Sequence, residues 1–315
     1  MTFMNPVRSI LQHIIQYFDN DHKTKFIDCA DHSVDWTRVV PFVFLHLVCF
    51  AVIYVGWSPI AIGVAFFSYF IRMFAITGFF HRYFSHKSFK TSRIVQFIFA
   101  AIGTAATQRG PLWWAAHHRG HHRNSDTEAD PHSMHKGFWY SHCGWFMSGA
   151  HFITPDHLIK DFAQYPELVW LDRYDMAVAL AYATAMFGLG ELIGWLVPSS
   201  ATNGWQMLIW GYFIATVVQI HATLCINSLA HLWGSRRYNT QDSSVNNPLL
   251  ALITLGEGWH NNHHHYPGST RQGFFWWELD ITYLILKAMS YVGLVSDLKP
   301  VPERKLYAHK KSTHL

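Results

Sequence analysis

Four long apolar segments divide the 315-residue chain, and charged segments lie before, between and after them. A helix needs roughly 20 apolar residues to cross the hydrocarbon core of a bilayer, so each segment predicts one membrane-spanning helix. The connectors at 56–59 and 198–204 are short, uncharged and rich in turn-forming residues, which predicts two helical hairpins. The four predicted spans are about 39–55, 60–80, 177–197 and 205–224.

The charged residues indicate how these helices are oriented. Nearly all of them lie in segments 8–38, 82–160 and 236–315. Positive charge favours the cytoplasmic side of a membrane, so both termini and the large central segment are predicted there. A further apolar run, residues 94–107, has about fourteen residues, a length typical of an interfacial or buried helix. We interpret this run as interfacial.

These patterns predict an all-α integral membrane protein, with four transmembrane helices in two hairpins and a cytosolic helical cap. Residues 1–38 are interpreted as a cytosolic amphipathic segment, and residues 39–315 as a single domain. The predicted cap comprises about 81–176 and 228–300, and a basic tail follows at 301–315.

The composition supports a membrane location and narrows the functional classes. Half of the chain is hydrophobic and only 14% is charged, whereas ordinary soluble domains are about 25% charged. The formal net charge of +4 is spread over both ends, so no nucleic-acid partner is predicted. The four cysteines form no CxxC pair, which argues against a disulfide framework and an iron–sulfur cluster.

Histidine-rich boxes in the charged segments predict a metal centre. Imidazole is a common ligand of iron, copper and zinc, and one structural zinc needs only four ligands. Helical positions i, i+3 and i+4 share a face, so the second and third boxes can each direct three imidazoles one way. The pattern predicts a centre with more than one ion. The candidate ligands are His81 and His86; His118, His121 and His122; Asn227 and His231; and His260, His263 and His264.

The second and fourth helices are predicted to extend beyond the membrane, because no proline or glycine interrupts residues 79–86 or 214–231. They would carry their ligands just above the bilayer surface. On an ideal α-helix, residues five apart point about 140° apart. His81 and His86 are therefore predicted to flank a metal pair rather than to chelate one ion.

Residues outside the boxes receive weaker interpretations. His221 lies inside the fourth span and is predicted to face a partner or a cavity, because unpaired polar groups are costly in a bilayer. His132 and His142 are candidates for orienting ligands through hydrogen bonds. Six tryptophans predict an interfacial belt, although some could line an acyl pocket. They are Trp113, Trp114, Trp139, Trp145, Trp276 and Trp277.

A metal transporter is the alternative that is not an enzyme. Transporters generally bind their substrates near the bilayer midplane on broken helices. Here the histidine boxes lie in polar segments that are predicted to be cytoplasmic, and this placement disfavours transport.

The motifs resemble the membrane fatty-acid desaturases of the stearoyl-CoA (Δ9 acyl-CoA) type, in a bacterial-like form. The resemblance covers about residues 39–267. It rests on His81-Arg-x-x-Ser-His86, His118-Arg-x-His121-His122, Asp130-Pro131-His132, Asn227-Ser-x-Ala-His231 and Gly256-Glu257-Gly258-Trp259-His260-Asn-x-His263-His264. It implies two iron ions ligated by the nine box histidines, with Asn227 holding one iron through a water molecule.

The resemblance also implies a reaction and its partners. The expected reaction is the O2-dependent introduction of a cis double bond, at Δ9, into a saturated fatty acyl chain. Electrons are expected from a separate ferredoxin or cytochrome-b5-type protein, because no haem, flavin or nicotinamide motif is recognisable. Segment 239–248 and the Gly258-Trp259 variant look more like bacterial members, which implies an inner membrane.

Two questions stay open at this stage. Animal acyl-CoA members carry an Arg-Asp pair just before the second box, where this chain has Ala116 and His117. The substrate is therefore expected to be either a fatty acyl thioester or an acyl lipid. The nearest alternative enzyme is a di-iron membrane hydroxylase of acyl or alkyl chains. Such hydroxylases tend to have three residues between the first-box histidines, so the four found here favour desaturation.

Overall fold

The computed structural model describes residues 14–25, 27 and 33–308. Parts of the predicted N-terminal segment and basic tail, together with Cys29, lie outside these residues. The α-helices before residue 175 are Asn20–Thr24, Trp36–Cys49, Val52–Val55, Pro59–Phe74, Arg93–Thr104, Pro111–Asn124, Phe138–His142 and Pro166–Arg173. The later α-helices are Asp175–Leu196, Gly204–Met207, Ala215–Asn227, Pro248–Ile253, His260–His265, Ile281–Tyr291 and Glu303–Leu306.

Shorter elements complete the described chain. Two π-helical segments cover Ala75–Ser85 and Leu208–Ile214. A two-stranded antiparallel ladder pairs Lys90–Thr91 with Val295–Ser296. The 3-10 helices are Met134–Lys136, Gly144–Met147, Gly149–His151, Asp156–Leu158, Pro198–Ser200 and Leu229–His231. The three described cysteines, Cys49, Cys143 and Cys225, are unpaired.

Four continuous helical stretches are long and apolar enough to cross a membrane, as the sequence predicts. Capping residues define where three of them begin. The side chains of Asp35, Ser58 and Asn203 each accept a hydrogen bond from a backbone N–H in the first turn, which satisfies a donor that the helix leaves unpaired. The first to fourth long helices are Trp36–Val55, Pro59–Ser85, Asp175–Leu196 and Gly204–His231.

The fourth long helix lies at the centre of this group, because the first, second and third all pack against it. Burial reflects that position. Half of the residues in the most apolar part of the fourth helix are buried, against none in the first. The second and fourth helices therefore form the inner pair, and the first and third present most of their apolar side chains outward.

Both inner helices contain π-helical turns, and this geometry corrects one prediction. The His86 N–H donates to the His81 carbonyl at 3.2 Å, a bond that spans five residues. The wider π-turn brings residues five apart onto one side of the helix, and π-turns are frequent at functional sites. His81 and His86 therefore face the same cluster, and the prediction that they flank a metal pair is wrong.

The helix Arg93–Thr104 covers most of the fifth apolar run. One side of it packs against the π-helical segment Ala75–Ser85. Ile94, Phe97 and Ile98 are exposed, at the spacing of a single helical face. An exposed apolar face on a short helix fits the interfacial location, which stays a prediction.

Candidate metal centre

The nine predicted histidines meet in two neighbouring clusters. In each cluster the ligand atoms lie within 4.8 Å of one another. The second box contributes to both clusters, and so does the third. The five-histidine cluster comprises His81, His86, His118, His122 and His263. The four-histidine cluster comprises His121, His231, His260 and His264.

Each box is held by a different local structure. The helix Pro111–Asn124, which carries the second box, packs against the π-helical end of the second long helix. His260, the first histidine of the third box, lies four residues after a tight turn at Gly256, where φ is +126°. A Cβ at this glycine would lie 2.5 Å from a carboxylate oxygen of Asp280, so the turn needs glycine for both conformation and space.

Hydrogen bonding alone does not account for the five-histidine cluster. The Nε2 atom of His263 lies 3.0 Å from Nε2 of His81 and 2.9 Å from Nε2 of His122. A neutral imidazole nitrogen either carries one proton or offers one lone pair, so this atom cannot satisfy two hydrogen bonds. Converging lone pairs of this kind are stabilised by a cation placed between them.

Carboxylates reinforce this conclusion in the four-histidine cluster. Three of its histidines direct Nδ1 at an aspartate, which fixes the Nδ1–H tautomer and turns the Nε2 lone pair inward. Burial opposes ionisation of these aspartates, but interactions with the histidines hold all three pKa values well below the usual range. The pairs are His121 with Asp130 at 3.0 Å, His231 with Asp126 at 3.5 Å, and His264 with Asp242 at 2.8 Å.

The spacing of the ring nitrogens fits shared metal ligands. Metal–imidazole bonds of about 2.1 Å place two ligand nitrogens about 3.0 Å apart at a right angle and about 3.4 Å apart in a tetrahedron. In the four-histidine cluster, Nε2 of His121 lies 3.4 Å from Nε2 of His264, and Nε2 of His231 lies 3.1 Å from Nε2 of His260. These residues therefore fit a metal ion.

Among the described residues, one carboxylate contacts the five-histidine cluster, and it contacts His81. Glu257 contacts Nδ1 of His81, and Arg82 donates to the other Glu257 oxygen at 3.0 Å. Arg82 also pairs with Asp280 at 2.9 Å, and all of these side chains are buried. Their mutual pairing offsets the cost of burying the charges.

Two cavities meet beside the clusters. The smaller has a volume of about 40 Å³ and is lined by histidines of both clusters together with Asn227 and Glu257. The larger has a volume of about 340 Å³ and shares Asn227, His118 and Trp114 with the smaller one. Its walls are largely apolar side chains of the long helices, including Phe42. The large cavity thus leads from the long helices to the candidate metal centre.

Asn227 lines both cavities and so lies at their junction beside the clusters. Its α-helix ends at this residue, and the short 3-10 helix Leu229–His231 then carries the next ligand. This position suits the predicted link to a metal through water, and the link itself stays a prediction.

Four other histidines have different roles from the box histidines. His132 stacks on His121 at 4.2 Å between ring centroids and lies beside Asp130. His142 bonds to Ser228 and His221 rather than to a cluster histidine. His221 faces partners, as predicted, because His46 also bonds to it at 2.8 Å. His265 instead stacks on the ring of Tyr238 and binds the Lys305 carbonyl.

The tryptophans divide into two groups. Trp113 and Trp145 are 4% and 6% exposed and stack on each other beside the large cavity, so a membrane-interface belt is the wrong interpretation for them. Trp114 is stacked on His118. The remaining three, Trp139, Trp276 and Trp277, are exposed.

Sequence reasoning missed two of the orienting carboxylates. Asp126 follows the second box by four residues, and Asp242 precedes the third box by eighteen. Neither spacing marks a ligand-orienting residue by itself. Asp126 pairs with His231, which lies far away in the sequence. Asp242 pairs with His264, which lies across a loop.

Comparison with known proteins identifies the family of this chain. Residues 37–295 match the family model described as "Fatty acid desaturase". This chain belongs to the fatty acid desaturase family. Its members act on fatty acyl chains, and the chain is therefore an enzyme that desaturates them.

Named relatives cover most of the chain. The sn-1 stearoyl-lipid 9-desaturase of Anabaena variabilis is 36% identical over 85% of this chain and 94% of its own length. The enzyme of the same name from Synechocystis sp. is also 36% identical, over 94% of this chain and 90% of its own length. An acyl-CoA C20 Delta5-desaturase of Anemone leveillei is 34% identical over 81% of this chain and 78% of its own length. The desaturase is thus similar to enzymes named for lipid substrates and to others named for acyl-CoA.

Proposed function

We propose that this desaturase introduces a cis double bond at Δ9 of a saturated fatty acyl chain, using O2 and two iron ions held by the nine histidines and Asn227. The observation that carries the proposal is the convergence of two histidine clusters at the inner end of an acyl-sized apolar cavity. The Δ9 position is supported by similarity to relatives named 9-desaturases.

The iron centre would supply the strong oxidant that an unactivated methylene requires, which no side chain provides. The substrate loses two hydrogen atoms, that is two protons and two electrons, and the external donor supplies two further electrons. With two protons from solvent, O2 then leaves as two waters, so the reaction balances. The electron donor is proposed to be a ferredoxin or a cytochrome-b5-type protein.

The protein would position the acyl chain and keep water away from the reacting carbons. The apolar walls of the large cavity would hold the chain against the clusters in one conformation, which would select the bond to be desaturated. Asp130 and Asp242 would keep the proton on Nδ1 of His121 and His264, so that Nε2 stays available to metal.

We further propose two hairpins of transmembrane helices with a cytosolic cap, both termini in the cytoplasm, in a bacterial inner membrane. This arrangement would place the clusters on the cytoplasmic side, where soluble electron donors are found. It rests on the positive-inside rule and on the four apolar helices.

Expression in a bacterial host that lacks unsaturated fatty acids tests the proposal. Gas chromatography of its lipids should reveal a new cis-Δ9 monoene, and the purified protein should contain about two irons per chain. A hydroxy fatty acid would indicate the hydroxylase alternative. Iron uptake into cells with no modified lipid would indicate a transporter.

A further inference from the structure

Three cationic side chains surround one aromatic ring at the polar end of the large cavity. The Nζ atom of Lys23 lies 4.7 Å from the centroid of the Phe152 ring, and the guanidinium carbons of Arg38 and Arg109 lie 5.0 and 4.3 Å from it. All four residues line the cavity. They come from distant parts of the chain, so the tertiary structure brings the charges together.

These cations are not fully neutralised by the described carboxylates. Lys23 Nζ lies 3.4 Å from Asp35, and Arg109 Nε lies 3.6 Å from Asp175. Arg38 donates to a backbone carbonyl at 3.2 Å, and no described carboxylate lies within 4.0 Å of its guanidinium. Among the described residues, three cations thus share two nearby carboxylates, Asp35 and Asp175.

Burial makes this arrangement costly while nothing is bound. Burial lowers the pKa of Lys23 to about 8; attraction from Asp35 opposes the shift, and repulsion from Arg38 and Arg109 adds to it. Buried charges are tolerated when they are paired and hydrogen-bonded. An anion seated among the three cations would balance the excess positive charge and reduce the repulsion between them.

The rest of the cavity indicates what kind of molecule carries that anion. The same cavity continues along the apolar long helices and reaches His118 and Asn227 beside the metal clusters. A ligand that fills both parts has a long acyl chain and an anionic head group. Arginine's planar fork of N–H donors matches phosphate oxygens well.

We propose that Lys23, Arg38 and Arg109 bind a phosphate of the substrate's head group, so that this desaturase selects phosphate-bearing acyl substrates. Acyl-CoA and glycerophospholipids share this chemistry, whereas acylglycerols without phosphate lack it. The proposal rests on the proposed function for the acyl chain, and it adds the class of head group.

Equilibrium binding to the purified full-length protein in neutral detergent tests this site without any turnover. The probes are radiolabelled stearoyl-CoA, distearoyl phosphatidylglycerol and distearoylglycerol, which has no phosphate. Arg38→Gln should weaken binding of a phosphate-bearing probe by about 10-fold or more, the loss of a charge-assisted hydrogen bond. Binding of distearoylglycerol should not change.

Control variants separate head-group binding from misfolding. Arg93→Gln alters an exposed ion pair with Glu167 outside the cavity and should leave all three affinities unchanged. Arg109→Lys keeps the charge but loses the fork, and it should weaken phosphate binding less than Arg109→Gln does. This series stays informative if one glutamine variant fails to fold.

The two phosphate-bearing probes distinguish the source of the phosphate. A loss confined to stearoyl-CoA identifies coenzyme A as the head group, and a loss confined to phosphatidylglycerol identifies a phospholipid. Unchanged binding of both phosphate-bearing probes, or equal losses for all three probes, would overturn the proposal. Normal binding without any desaturation would instead contradict the proposed function.

Discussion

The two histidine clusters are neighbours, but different interactions orient their rings. In the four-histidine cluster, three aspartates hold three of the four imidazoles through Nδ1. In the five-histidine cluster, one glutamate holds one imidazole, and Arg82 neutralises that glutamate. The π-helical turn and the helix Pro111–Asn124 orient most of the remaining rings.

This difference indicates that the clusters depend on different parts of the structure. Side-chain hydrogen bonds set the geometry of the four-histidine cluster, so conservative changes to its aspartates should lower the affinity for metal. Backbone geometry and buried packing set the geometry of the five-histidine cluster. Changes to its surroundings should therefore be felt mainly in the stability of the protein.

Removing a ligand from either cluster should have the largest effect. We expect His263→Ala and His264→Ala each to lower product formation by at least about 100-fold. Each variant removes a proposed direct ligand of the metal, whereas the aspartates only orient such ligands. Iron analysis of the purified variants should give about one ion per chain instead of two. His265→Ala, at the position next to His264 but outside both clusters, is the matched control, and it should retain both iron and activity.

Arg82→Leu, beside the five-histidine cluster, should have the next largest effect, and it should lower the stability of the protein. It leaves Glu257 and Asp280 buried without their cation, which costs about 3–5 kcal/mol of the free energy of unfolding. Thermal unfolding of the detergent-solubilised protein measures this loss. Arg93→Leu breaks only an exposed pair and should unfold like the parent protein. A parent-like Arg82→Leu would show that packing, not the ion pairs, holds this region.

Asp242→Asn tests the four-histidine cluster, where it should lower the affinity for metal. The amide cannot accept the Nδ1–H of His264 as strongly as a carboxylate, so metal affinity should fall about 10- to 100-fold. Competition with a chelator at equilibrium measures this affinity. The exposed Asp297→Asn, in a surface pair with Lys90, should leave it unchanged. Equal affinity in Asp242→Asn would show that the aspartate does not orient the ligand.

Acid should destabilise the metal-free protein in a graded way. Burial, and then repulsion between neighbouring histidines, holds the pKa of His118, His122 and His263 well below the usual value. The folded state keeps them neutral, while the unfolded chain protonates them below about pH 6.5. Stability is therefore lost as the pH falls through that value, by about 1.4 kcal/mol per pH unit for each histidine.

Urea unfolding of the metal-free protein between pH 7 and 5 measures this slope. His122→Gln should reduce the slope by the contribution of one histidine. His135→Gln, at an exposed position, should not change it. A slope that stays the same in His122→Gln would mean that this histidine is not kept neutral by burial.

Sequence patterns predicted which histidines come together better than how they are arranged. The i, i+3, i+4 spacing within one helix identified His118, His121 and His122 as a group. The structure divides them, because His121 faces one cluster while the other two face its neighbour. Spacing reports which residues share a helix, and it does not report which surfaces meet them from other helices.

The same limit explains the error at the first box. An ideal α-helix was assumed for residues 79–86, and the π-turn changes where His86 points. Such a turn depends on the surrounding packing as well as on the local sequence. The aspartate partners were missed for a related reason, since each pairing depends on how separate segments fold together.

The sequence by itself determined the four apolar helices, the nine histidines and the membership of the desaturase family, because hydrophobic length and motif spacing are local properties. Only the tertiary structure decided how the histidines divide into two clusters, which carboxylates hold them, and that Lys23, Arg38 and Arg109 meet at one cavity. The physical reason is that ligand geometry and charge pairing depend on contacts between segments far apart in the chain.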